Sequence, residues 1–256
     1  MFRLLALLTV SIFVVSVAQA QLPTVDPLKP GTAPAPAPAT TAPVARPPAA
    51  TAMPSVSGQN QLPSDPAFLL HEALELIQQK QFDAAMEKVN AAIQAAPDNI
   101  DGYGLRGGLY AQKKQWDNAT KDYQHVLQME PKNEQAKFNL SEIDFLQKNY
   151  DKARVGFAGL IPSKDAKDLA TYKVFLCDLF AGHDDVAAKE LNDMDQADRG
   201  ASFYFGKAAW FLYHKRQEEA RGWLESASKI YTPGKFKLYS ASLFDLGYLP
   251  LPQQKS

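Results

Sequence analysis

Four histidines, His71, His125, His183 and His214, and a single cysteine, Cys177, are the side chains with which this 256-residue chain could do nucleophilic or metal chemistry. Such chemistry needs a convergent set: a nucleophile beside its base, or three or four ligands at the spacing one helix face or turn can present. The histidines are scattered, none has a partner at metal-ligand spacing, and Cys177 has no histidine near it in sequence. The segment "HDD" at 183–185 falls at the turn opening a helix, where carboxylates cap backbone N–H groups and complement the dipole. The glycines of "DGYGLRGG" (101–108) lack the Lys-Ser or Lys-Thr that follows a phosphate-binding loop. These patterns predict a chain with no catalytic residues, no metal and no cofactor.

Charge narrows the partners. A net charge of −1, with bases and acids interleaved almost throughout, provides no field to draw the chain to nucleic acid or anionic lipid. One reversal stands out: residues 163–198 carry nine acids and four bases, whereas 199–237 carry three acids and eight bases. Attraction between neighbouring segments is the simplest account of it. Cys177 lies in the apolar run "VFLCDLF" and reads as a core residue.

The first twenty residues, "MFRLLALLTVSIFVVSVAQA", have an early Arg, an apolar run and a small-x-small end, the pattern of a secretory signal peptide cleaved after Ala20. Residues 21–65 hold eleven prolines among alanines and threonines, too little apolar bulk to form a core, and read as a disordered, extended spacer. The chain is therefore expected to be exported, periplasmic in a bacterium or secreted, with no membrane span once the leader is removed. "NAT" at Asn118 and "NLS" at Asn139 would be glycosylation acceptors in a host that glycosylates.

From residue 66 onward the apolar positions take helical spacing, and a short phrase returns: "KQFDAA" at 80–85, "KQWDNA" at 114–119, "KNYDKA" at 148–153. Each phrase combines a cation suited to a helix C-terminus, a polar turn residue, an aromatic plug, an acid suited to the next N-terminus and a small Ala for close packing. Ala85, Ala119, Ala153 and Ala187 recur at intervals of 34 residues, Ala220 follows one residue early, and Pro97 and Pro131 close their helices.

This pattern resembles the tetratricopeptide repeat family, whose signature runs W-x-x-L-G-x-x-Y, A-x-x-x-F, P. Tyr103, Arg106, Gly107, Tyr110, Ala119, Tyr123 and Pro131 carry it in the second unit, with Arg106 in place of Leu. The first unit matches at Leu69, Glu72, Ala73, Leu76, Ala85, Val89 and Pro97, and the third at Leu140, Ser141, Ala153 and Phe157. In the fourth unit Phe175 stands where a small residue belongs, a shifted reading would put Cys177 there, and in the fifth either Ala208 or Ala209 fills that place. The resemblance implies an all-α, right-handed solenoid of about five helix pairs over 66–99, 100–133, 134–167, 168–200 and 201–234, with a capping helix at 235–249. It also implies a concave groove lined by the first helix of each pair. By that analogy the groove residues are Leu70 and Leu74, Gly104, Gly108 and Ala111, Phe138, Glu142 and Phe145, and Tyr172 with Leu176.

Such a lining is apolar, without the Lys and Asn of a carboxylate clamp; Leu70 and Leu74 occupy two of the clamp's places, and Asn139 reads as a solvated residue. It suits an amphipathic helix or extended segment of a partner protein. The capping helix or a second copy of the chain could fill it instead, which leaves a self-associating structural subunit as the alternative to a binding scaffold. Gly104 and Gly108, one turn apart, would leave a bare strip for another backbone to approach, at about 1 kcal/mol each in helix propensity.

Overall fold

The computed structural model describes residues 65–196 and 199–249. The leader at 1–20 and nearly all of the spacer at 21–65 lie outside the described residues. Within them the chain is helical throughout: α1 (Pro66–Gln78), α2 (Phe82–Ala95), α3 (Ile100–Gln112), α4 (Trp116–Met129), α5 (Glu134–Leu146), α6 (Tyr150–Ala158), α7 (Lys167–Ala181), α8 (Asp184–Gln196), α9 (Ala201–Tyr213), α10 (Gln217–Ile230) and α11 (Pro233–Asp245). They form five antiparallel pairs and a final single helix, an all-α solenoid of the predicted kind. Pairs of this length are marginal alone, so the burial between neighbours stabilises them.

The period has a backbone cause at the C-terminal end of every first helix and, in the first three units, at the N-terminal end as well. Asp65, Asn99 and Asn133 accept a hydrogen bond from the backbone N–H of Ala67, Gly102 and Ala136. At the other end Lys80, Lys114, Lys148, Gly182, Lys215 and Gly247 all adopt positive φ, between 56° and 83°. In each case the next residue's N–H bonds back across six residues, as Gln81 to the Leu76 carbonyl and Tyr248 to that of Leu243. This is a Schellman ending, which glycine favours and lysine adopts at a steric cost.

A prediction follows from that cost. Replacing Lys114 by glycine relieves a left-handed backbone at φ 56° and should raise stability by about 0.5–1 kcal/mol in urea unfolding. The same change at Lys113, which has ordinary φ and pairs with Asp83 across the first two units, should lower it.

These turns settle the register. Gly182 lies 34 residues beyond Lys148, so the fourth unit keeps step and Phe175 does occupy the small position; Gly206 on α9 lies nearby, where a Cβ would crowd Leu191 of α8 at 3.0 Å and make ordinary contact with Phe175 at 3.7 Å. Lys215 comes one residue early, which puts Ala208 rather than Ala209 in the fifth unit's small place. Gly247 makes α11 the first helix of a sixth unit, with Phe236, Tyr239, Ser240 and Leu243 at the signature positions.

Arg106 departs from the signature because it does something a leucine cannot. Its guanidinium donates twice to Asp122 on α4, at 2.9 and 2.8 Å, and lies over the rings of Tyr103 and Tyr110. The hydrogen bond to Asp122 raises its pKa further. The first unit makes the same contact with the charges exchanged, Lys88 to Glu72 at 2.8 Å.

Charge attraction between the late segments is realised only in part. Arg199 reaches Asp195 at 2.8 Å, Lys235 reaches Asp168 at 4.0 Å and His214 reaches Asp184 at 3.2 Å, but Lys189, Arg216 and Arg221 pair with Asp193, Glu219 and Glu218, three or four residues away in their own segments. Spacings of three and four residues on one helix supply nearer partners than the next unit does.

Candidate functional site

The inner face divides into an open half and a closed half. In the first two units Leu70 is buried, Leu74 half-buried, and Gly108 and Ala111 are buried against neighbouring helices. Gly104 differs from them. A Cβ built on it meets nothing within 4 Å, whereas one on Gly107, a turn further, would meet the Tyr123 ring at 3.0 Å. Gly107 is therefore required by packing, and Gly104 is not.

The closed half corrects the expected lining. Phe145 and Tyr172 have no exposed surface and Phe138 has 8%, so none of the three can meet a partner as the chain stands; Leu176 is likewise sealed. Phe138, Phe145 and Glu142 surround a charge the groove analogy passed over. The Lys173 ammonium, buried on α7, donates to both carboxylate oxygens of Glu142 at 2.7 and 2.6 Å and to the Ser242 hydroxyl of α11 at 2.6 Å. It lies 5.3 to 5.8 Å from the ring centres of Phe138, Phe145 and Phe157, which attract a cation through their faces.

Helix α11 covers this region because the late units draw their first helices together. Tyr239 donates to Asp168 at 2.6 Å, its ring lies 5.4 Å from those of Tyr172 and Phe205, and Tyr248 stacks on Phe180 at 5.2 Å. Here α11 lies against the first helices of the fourth and fifth units, α7 and α9. A lysine and an aspartate, Lys173 and Asp178, in the mainly apolar "YKVFLCDLF" were the available signal for buried polar centres.

The side chains singled out for chemistry take structural places. Cys177 is 1% exposed, and burial pushes its thiol pKa up, away from nucleophilic use. His183 faces Asp178, and His214 bonds the Trp210 carbonyl. Among the described residues no group of three or more His, Cys, Asp or Glu side chains could hold a metal ion. Asn139 is buried beside Tyr123 and accepts from Gln135, so it is neither solvated nor open to a glycan; Asn118 is exposed.

Among the described residues no helix is long and apolar enough to cross a membrane.

Residues 110–173 match the family model of the tetratricopeptide repeat. DnaJ protein P58IPK homolog A of Oryza sativa subsp. japonica is 25% identical over 88 residues, which are 34% of this chain and 18% of the rice protein. The chain thus spans under a fifth of that relative's length. Of the solved structures, TTC0263 from Thermus thermophilus is 14% identical, covering 70% of this chain and 99% of its own at a TM-score of 0.54. The Pseudomonas aeruginosa protein pilF is 13% identical and PilW, a type IV pilus biogenesis factor, 15%; each covers 72% of this chain and 86% of its own at a TM-score of 0.53. These are likenesses of fold. The signature adds sequence to it: a small residue stands at the close helix contact in all the described units but the fourth, from Ala73 to Ser240, and both the match over residues 110–173 and the fold of the described chain are those of the tetratricopeptide repeat superfamily.

Proposed function

We propose that the chain is an exported, non-catalytic scaffold that holds a segment of a partner protein along the inner face of its first two units. Leu74 and Gly104 provide the contact, and the buried Leu70, Gly108 and Ala111 form the floor beneath them. Phe138, Phe145 and Tyr172 serve the fold instead, and Glu142 binds Lys173. Residues 1–20 direct export, and 21–65 form a spacer between the site of export and the solenoid. An envelope assembly is the setting in which such a tethered scaffold works, and PilW, of the same fold, is a pilus biogenesis factor.

The carrying observation is Gly104: a glycine in mid-helix with open space where its side chain would be. Alanine there should add about 1 kcal/mol of stability from helix propensity alone, so the fold gives no reason to keep glycine, while a passing backbone does. Gly104→Trp should leave the helical circular dichroism unchanged and abolish capture of the partner. Photo-crosslinking in cells from a probe at Leu74 should give one discrete product, identified by mass spectrometry, that is absent from a probe at the exposed Lys121 and lost in the Gly104→Trp chain. Equal products at Leu74 and Lys121 would remove the binding face. A product of twice the chain's mass would favour self-association.

A further inference from the structure

The junction of the third and fourth units holds a group of charges that neither the groove nor the signature accounts for. Arg154 of α6 donates through Nε to Asp178 of α7 at 2.5 Å and through Nη2 to Glu190 of α8 at 3.3 Å. One guanidinium thus serves two carboxylates on two different helices. Asp178 is 3% exposed, and its second oxygen faces His183 Nδ1 at 3.2 Å, in the turn between α7 and α8. The second oxygen of Glu190 is buried and finds no hydrogen-bond donor among the described residues.

Charge counting gives the junction two states. With all three groups ionised it carries a surplus negative charge, and Glu190 and Asp178 repel each other across a short gap. One added proton turns that repulsion into a carboxyl–carboxylate hydrogen bond and leaves the remaining charge balanced by Arg154. The neighbours cannot do this in its place. Lys189, beside Glu190 on α8, is drawn to Asp193, and Lys173 on α7 is engaged with Glu142 and Ser242. Across from α8, α9 packs through Gly206 against Leu191 and Met194, an apolar contact. His183, from the turn, meets Asp178 rather than Glu190.

We propose that Arg154, Asp178 and Glu190 form a proton-operated latch, which fastens α8 to α6 and α7 when Glu190 is protonated and loosens the fourth unit on the third when it is not. A solenoid transmits change only between neighbours, so a latch at one junction adjusts how the later units sit on the earlier ones without touching the first two. The environment fits the role: burial first, and then the Asp178 charge, raise the Glu190 pKa from 4.5 to about 7, against the lowering effect of Arg154. A carboxyl raised on folding contributes stability that is fully present below its unfolded value and lost as pH rises through the folded one. The window is therefore from about 4.5 to about 7.

The test is thermal unfolding of the full chain between about pH 5 and about pH 8, beside Glu190→Gln, which imitates the protonated carboxyl, and His183→Gln. The wild-type midpoint should fall by about 5 °C over that range, as expected of a half-buried group in a chain this long. Glu190→Gln should remove most of that fall and match the wild type at the acid end, and His183→Gln should keep it. A slope retained in Glu190→Gln, or abolished by His183→Gln alone, overturns the latch. Carbon-13 NMR of the Glu190 side chain gives a second reading independent of unfolding: half-titration above about pH 6 is expected, and a midpoint below it is incompatible with the proposal.

Discussion

Replacing Lys173 by methionine should destabilise the chain by about 3–5 kcal/mol, the loss typical of a buried ion pair deprived of one partner. Methionine keeps an unbranched stem against Phe138, Phe145 and Phe157, so the change isolates the ammonium. What remains is a Glu142 carboxylate with 14% of its side chain exposed and no cation, and a Ser242 hydroxyl that has lost its partner. Urea unfolding followed by circular dichroism measures the loss. The double change Lys173→Met with Glu142→Leu should recover most of it, because an apolar pair of similar volume needs no solvation. Hydrogen exchange should show where the single change acts, with α11 losing protection before α1 to α4. A loss under about 1 kcal/mol would mean that water reaches the pair and that the clasp contributes no more than a surface contact.

The contrast between this clasp and the repeat signature shows what the sequence could disclose. The helix pairs were legible because their determinants are local: a cap such as Asn99, a left-handed turn such as Lys114, and an aromatic plug with a small residue beside it all lie within one period. Where local determinants were overwritten, register became ambiguous. Phe175 in the small position looks like a slip until the left-handed Gly182 is seen to keep the step of 34 residues from Lys148. The last left-handed residues, Lys215 and Gly247, resolve the shift, but only backbone angles reveal them as equivalent to Gly182. The lining of the groove was half legible for a related reason. Family analogy assigns the residues that face inward, and it does so for Phe138, Phe145 and Tyr172 as well as for Gly104. It does not say what else of the chain lies on the inner face. That depends on contacts such as Tyr239 with Asp168 and Ser242 with Lys173, 71 and 69 residues apart, and no period connects those pairs. The latch residues escaped for the same reason, since Arg154 and Glu190 are 36 residues apart on adjacent units.

Ending the chain after Thr232, so that α11 is absent, should have the largest effect of all. Tyr239 and Leu243 are buried against α7 and α9, and Phe236 and Tyr248 cover Phe205 and Phe180 in turn. Burial of several such side chains represents roughly 5 kcal/mol or more of stability, close to the whole margin of a domain. The loss should not spread evenly. The buried cluster that includes Tyr172 and Phe205 runs from Phe138 to Leu243, whereas the first two units rest on separate clusters around Val89 and Tyr123. Units that touch only their neighbours melt from the damaged end, so the shortened chain should lose much more helical signal than one helix accounts for and should bind a hydrophobic dye. The hairpins of Arg106 with Asp122 and Lys88 with Glu72 should still show protected amides. Tyr239→Phe, which removes only the hydrogen bond to Asp168, should cost about 1 kcal/mol and leave the cover in place. If the shortened chain keeps its full helical content and binds no dye, α11 is an appendage to the solenoid, and the inner face of the later units becomes available to a partner after all.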